Sequence, residues 1–306
     1  MLKTIKIDMT LRFVFIFFVF VIVSGCQKEF DLKLDFSHGF TVNCILDQDS
    51  TVKVKISKTE KIGHTGEFQS VDNAVVELIE GNQVYKLTEQ IEGIYAGSLQ
   101  VLTGKTYNLN VILPDNKILS AKTTIPSKPV VTMVYNPNGF IYTVTLTDNA
   151  NEKNYYWIYA QSGYFQSNFM QPASKIFNEN NIIYTNSVIG DEFNREISSV
   201  YSEMDYSHSF GVRIPDEIIS EGNITFDIKI SEGWNRLERI SIVSADSNLD
   251  KYLKTGLLQR DQKAGGDTPV FLIPLSMFTN IKNGKGIFGS CSIIVYDFEF
   301  NHVQGN

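Results

Sequence analysis

Val23-Ser24-Gly25-Cys26 is the stretch whose residue types and spacing point most directly to chemistry. An aliphatic residue, two small residues and a cysteine match a lipobox. The thiol takes a diacylglyceryl group, and small residues let a peptidase thread the bond before it. The preceding segment agrees. Lys3, Lys6 and Arg12 stand against Asp8, and Phe13 to Val23 is an unbroken apolar run of 11 residues. That suits a signal h-region and falls short of the ~20 residues of a spanning helix. The competing reading is an ordinary signal peptide or signal anchor with a chance cysteine. The fit of all four positions favours lipidation, so Cys26 is expected to carry diacylglycerol and palmitate, with Val23, Ser24 and Gly25 as the cleavage flank.

Other constellations carry less. Gly284-Lys-Gly-Ile-Phe-Gly289 matches G-x-G-x-x-G. A dinucleotide site needs a strand before the glycines, a helix after them and an acid ~20 residues on. Here a strand follows and the sequence stops 17 residues after Gly289, so a glycine-rich turn packed against the last strand is expected. Ser207-His208-Ser209 puts hydroxyls beside an imidazole, but neighbours on a strand face opposite ways, and His208 is expected in an exposed loop. Asp261 and Asp267 flank Ala264-Gly-Gly266 without calcium-loop spacing and read as a mobile loop. Asp49-Ser50-Thr51 resembles a short acceptor motif for O-linked glycans, though three residues recur by chance. Cys44 and Cys291, with four scattered histidines, show no zinc spacing. The two cysteines are expected in different domains as buried free thiols, although an oxidising compartment permits a disulfide. Tyr155, Tyr156, Trp157 and Tyr159, with Tyr164 and Phe165, either fill a core or form a stacking and docking surface. They are the candidate binding aromatics. No catalytic set, metal ligands or cofactor site is expected.

Apolar residues are 43% and charged residues 20% of the 306, enough to bury real cores and too apolar for wholesale disorder. Removing residues 1–25 takes three of 27 basic and one of 34 acidic residues, leaving 24 against 33, a net charge of −9. Such a chain is a poor partner for nucleic acid or for an anionic membrane surface, so lipid must hold it.

The elements that would position these residues are mostly strands. Residues 26–38 are polar and read as a lipidated tether. Alternation in Val52-Val54-Ile56, Ala74-Val76-Leu78 and Tyr107-Leu109-Val111, with turns at Gly81-Asn82 and Pro114-Asp-Asn116, gives about seven strands over 39–126. That predicts an immunoglobulin-like or transthyretin-like β-sandwich. Pro126 to Pro129 is a stiff linker, and a fragment of 34–127 is expected to fold alone. Residues 127–306 read as a second β-rich domain. It has a hairpin around Asn136–Gly139, an alternating strand at Ile224–Ile230, and one short helix. Leu249, Tyr252, Leu253 and Leu257 form that helix's apolar face, with Asp246 or Ser247 as N-cap. Residues 163–222 read as long loops with two or three strands. The fold class is therefore mostly β.

Several fragments recur together in one family. They are the lipobox, Val52-Lys-Val54 with Ser57, Ala74-Val-Val-Glu-Leu78, Gly93-Ile-Tyr95, Gly104-Lys-Thr-Tyr107 and Thr124-Ile-Pro126. Asp250-Lys-Tyr-Leu253, Asn280-Ile281 and Gly284 to Gly289 follow. The ordered set resembles the domain of unknown function 4249 (DUF4249) lipoproteins of Bacteroidetes, with a departure at Phe271-Leu-Ile-Pro274. The resemblance implies an outer-membrane lipoprotein, often encoded beside TonB-dependent receptors, and no established activity. Lys28-Glu29-x-Asp31 resembles the acidic signal that exports such lipoproteins to the cell surface. The expected function is a binding or accessory module of a TonB-dependent barrel, facing outward. A self-associating adhesion lipoprotein is the alternative, and a hydrolase comes last. No nucleotide partner is expected.

Overall fold

Strand alternation builds the first half. Val42, Cys44 and Leu46 of β1 (Phe40–Asp47) and Val52, Val54 and Ile56 of β2 (Val52–Lys58) are buried, with Asn43, the exposed Ile45, Lys53 and Lys55 between them. The same period places Leu78, Tyr95, Leu109 and Leu119 inside β3 (Val75–Glu80), β5 (Ile94–Gly97), β6 (Thr106–Ile112) and β7 (Ile118–Thr124). β4 (Gln83–Ile91) pairs with β3 and then bends to pair with β5. The computed structural model describes residues 38–300 except 62–63, 150, 169–170, 186–188, 190–194, 198–205, 220–221, 231–236 and 265–275. The lipobox, the tether to residue 37, Asp267, Phe271–Pro274 and His302 lie outside the described residues.

The second half adds the hairpin β8 (Val130–Asn136) and β9 (Ile141–Thr147), then β10 (Tyr155–Asn168) and β11 (Gln171–Asn181). Four short strands follow: β12 (Ile183–Thr185), β13 (Arg195–Ile197), β14 (Tyr206–His208) and β15 (Val212–Pro215). Then come β16 (Asn223–Ile230), β17 (Leu237–Ala245), helix α1 (Ser247–Ala264) and β18 (Lys285–Glu299). The chain is thus mostly β with one helix of more than a turn among the described residues, sandwich-like and without barrel closure. Residues 163–222 hold more strand than their sequence suggests. Their strands are short or polar on both faces, which erases the period-2 signal.

One sheet runs in the order β11, β10, β17, β18, β1, β2, β5, β4, β3, β6, β7, with β15 also on β10; the other runs β13, β14, β12, β16, β9, β8. The large sheet curls, and a single bridge between Ser120 and Lys282 brings its far edge back beside the entry to β18. In the second half the smaller sheet packs on one face of β10 and β17, around Tyr142, Tyr156, Ile158, Phe226 and Ile240. α1 packs on the opposite face, through Leu249 and Leu257 against Trp157, Val243 and Cys291.

β18 crosses the expected boundary at residues 126–127. Its first half pairs parallel with β1, from Thr41 opposite Lys285 to Asp47 opposite Cys291, and its second half pairs antiparallel with β17. Ile281 and Phe288 complete the core of residues 42–125. Residues 38–306 group as a single unit.

Candidate functional site

β10 separates the candidate aromatics by the strand's own alternation. Tyr156 points into the core between the sheets and donates its hydroxyl to Asp148 Oδ1 at 2.7 Å. Trp157 points the other way, under α1, fully buried. Tyr159 stacks near Trp157, centroids 6.3 Å apart and planes 7° apart, with Phe210 edge-on to both. Burial pushes the Tyr159 hydroxyl above its ordinary range. Tyr155 is half-buried beneath the Arg213 guanidinium, 5.2 Å from the ring centre. The structure thus does not bring the six aromatics to one surface. Tyr156, Trp157 and Tyr159 are held in or against cores and Tyr155 lies under Arg213, while Tyr164 and Phe165 are 46% and 38% exposed.

Those two sit where β10 outruns its neighbour. β17 pairs with β10 only as far as Gly163, and from Tyr164 to Asn168 the described partner is β11 alone. The result is a two-stranded ribbon with Tyr164 and Phe165 on its opposite faces. Its base is fastened by Lys175 to Glu299 at 2.6 Å, by a bidentate Arg239–Asp297 pair at 2.7 and 2.9 Å, and by Arg239 lying 3.8 Å over the Phe177 ring. The Arg239 guanidinium holds the Asp297 carboxyl below its usual range.

The sequence reading missed a buried charge cluster under α1. Asp250 accepts from Arg213 Nε at 2.6 Å and Nη2 at 2.8 Å, and from Trp157 Nε1 at 3.1 Å. Arg213 and Asp250 side chains are 6% and 4% exposed. The available signal was an arginine inside the apolar Val212–Ile214 strand, which needs a partner once buried. With both Asp250 oxygens taken from three directions, this cluster orients α1 and presents no free group for catalysis.

Asp246 caps α1 as expected, accepting from Leu249 N–H at 2.9 Å. The same carboxylate accepts from the Ser290 N–H at 3.1 Å and the Thr123 hydroxyl at 2.7 Å. It therefore ties helix, β18 and β7 together.

The glycine motif lies mostly within β18, not in a turn before it. Gly286 sits at φ +100°, and a Cβ there would meet the Val42 carbonyl oxygen at 2.1 Å. A Cβ on Gly289 would meet Leu249 at 3.0 Å. The glycines let β1 and α1 approach β18; no helix follows to hold a pyrophosphate.

His208 is not in an exposed loop. It is buried on β14 with Nε2 3.3 Å from Thr185 Oγ1, because Ser207 rather than His208 takes the more open side of the strand. Asp261 lies in α1 rather than in a loop. Cys44 and Cys291 are buried free thiols, each pushed up to about 12 by burial. They lie on adjacent strands rather than in separate domains. Cys44 is opposite Phe288 and Cys291 opposite Asp47. An offset of three residues is ~10 Å along a strand and reverses the face, beyond disulfide reach. Asp49-Ser50-Thr51 forms the exposed β1–β2 turn, with Ser50 Oγ donating to Asp47 at 2.8 Å.

Most fragments quoted for the family resemblance act as fasteners. The Tyr95 hydroxyl accepts from Ala74 N–H at 2.9 Å and donates to the Val71 carbonyl at 3.0 Å. The Tyr107 hydroxyl accepts from Leu102 N–H at 3.0 Å. Asn280 accepts from Phe288 N–H and donates to its carbonyl, standing in for a neighbouring strand. Among the described residues, no group of three or more His, Cys, Asp or Glu is placed to hold a metal, and no helix is long and apolar enough to cross a membrane.

A family model described as a domain of unknown function (DUF4249) matches residues 27–295. No curated protein matches. Among solved structures, one titled as a cytokine receptor complex aligns over 68% of this chain and 86% of its own at 10% identity. Its TM-score of 0.23 is too low to carry an argument.

Proposed function

The chain belongs to the DUF4249 family, and on that premise we propose that it is an outer-membrane lipoprotein, held by lipid on Cys26, that docks a TonB-dependent transporter as an accessory module. The observation that supports this is the β10–β11 ribbon, which carries Tyr164 and Phe165 exposed on its two faces beyond the end of β17. A two-stranded ribbon is marginal in water unless something covers it, and exposed aromatics are the anchors protein interfaces favour. The anchor suits the task. Each buried lipid CH₂ contributes ~0.8 kcal/mol, and residues 27–38 reach up to ~40 Å when extended, enough to lift the folded unit off the headgroups on the outward face.

Affinity purification of the native chain from membranes tests the reading. A TonB-dependent barrel is expected to co-purify and to be lost from Tyr164→Ser/Phe165→Ser. Recovery of the barrel at unchanged yield with that variant, or its absence from the native sample, rejects the docking arm. Labelled palmitate reports the anchor separately: Cys26→Ala should abolish incorporation and release the chain from membranes.

A further inference from the structure

Among the described residues, β8 is an open edge of the six-stranded sheet. It contains no charged residue, and Val130 and Val134 are 64% and 59% exposed on its outer face. The other sheet edges differ. β13 has three residues, β15 has four, all buried, β11 carries Lys175 paired with Glu299, and β7 carries Lys122 and is bridged through Ser120 to Lys282. Short strands, lysines and covering segments are the ways in which edges avoid pairing. Among the described residues β8 has one such device, a single hydrogen bond: the Tyr296 hydroxyl donates to the Val131 carbonyl at 2.9 Å.

That bond identifies which backbone groups face outward. The Val131 carbonyl points off the sheet to meet Tyr296. In an antiparallel ladder the direction alternates by residue, so Met133 and Tyr135 also turn their N–H and C=O groups away from β9. We propose that this edge pairs antiparallel with β8 of a second copy of this chain, about a two-fold axis at Val134. In that register Met133 of each copy exchanges both backbone bonds with Tyr135 of the other. Val134 meets Val134 of the second copy in the closely spaced, non-hydrogen-bonded position, and Thr132 meets Asn136. Val131 falls opposite Pro137 of the second copy. Proline has no N–H to donate, and the Val131 carbonyl needs none because Tyr296 already supplies it. A two-fold at Met133 would instead aim the Tyr135 N–H at that occupied carbonyl. With no charge on the strand, nothing repels its own copy, and the pairing is self-complementary and closed. This dimer is independent of the transporter reading: it uses the opposite sheet from the ribbon.

Sedimentation velocity of the full chain in detergent at tens of micromolar should show a dimer. Val134→Lys should be monomeric while keeping the native circular-dichroism spectrum and a cooperative melt, and so should Val134→Glu; mixing the two should restore a dimer. Under mild oxidation Val134→Cys should cross-link to its copy, while Thr132→Cys should not. A monomeric native chain, a dimer that persists in Val134→Lys, or no cross-link from Val134→Cys overturns the proposal.

Discussion

Asp250 shows what single residues decide in this chain. Removing one partner of a buried ion pair leaves an uncompensated charge and costs about 3–5 kcal/mol. Asp250→Asn should lower stability by that order, read from denaturant midpoints. Arg213→Met with Asp250→Leu should recover most of it. The residue left wanting is then the Trp157 N–H, at about 1–3 kcal/mol. Glu238 behaves in the opposite sense. It accepts from the Tyr142 hydroxyl, which favours its anion, but burial is the larger effect and raises its pKa above the usual 4.5. A carboxyl that binds its proton more tightly when folded adds no penalty below the unfolded pKa. It destabilises increasingly as pH rises through the folded value. Glu238→Gln should therefore raise the melting temperature at pH 7, with the gain shrinking toward pH 4.5 and below. A gain that grows on acidification would show the sign to be wrong. Neither residue was legible in sequence. Asp250 stood out only as the first residue of the fragment Asp250-Lys-Tyr-Leu253, and nothing marked Glu238, because burial is a property of the partner surface and not of the residue.

At the level of elements, legibility followed burial on one face. The first seven strands, the hairpin around Asn136–Gly139 and the cap at Asp246 could be read because one face is wet and the other dry, or because a turn residue marks the end. β11 and the outer half of β10 could not, since their described residues are exposed or only half-buried on both faces, while the inner half of β10 is mostly buried on both. In the aromatic run of β10 alternation puts Tyr156 and Trp157 on opposite faces, but it could not say that each face is covered by a core of its own. Asp246 makes an element-scale prediction. As a helix cap its loss costs about 1 kcal/mol, but this carboxylate also accepts from β7 and β18. Asp246→Ala should thus cost about 2–4 kcal/mol, with each orphaned partner adding about 1 kcal/mol or more. Hydrogen exchange should show faster opening at Thr123 and Ser290 as well as at the first turn of α1. Loosening confined to α1 would reduce Asp246 to a local cap.

For the whole molecule, the last strand holds the first. β1 finds its parallel partner some 240 residues later, and β18 then runs on into the other core. Parallel pairing at such separation bears the full loop-closure entropy before any contact rewards it. The linker at Pro126–Pro129 divides the sequence, and each side has its own apolar period. What the sequence could not display is a strand shared between the two sides, since pairing partners leave no mark at a distance. A fragment of 34–127 retains β1 to β7 but exposes the β1 edge and loses Phe288 and Ile281 from its core. Deleting a large core side chain costs about 2–5 kcal/mol, and two such losses rival the stability of a small domain. The fragment should therefore show a weak, broad thermal transition by circular dichroism. A linked version that restores residues 276–292 after the fragment should melt cooperatively and at higher temperature. Equal, sharp transitions in both would mean that the first seven strands are self-sufficient and that β18 adds only an edge.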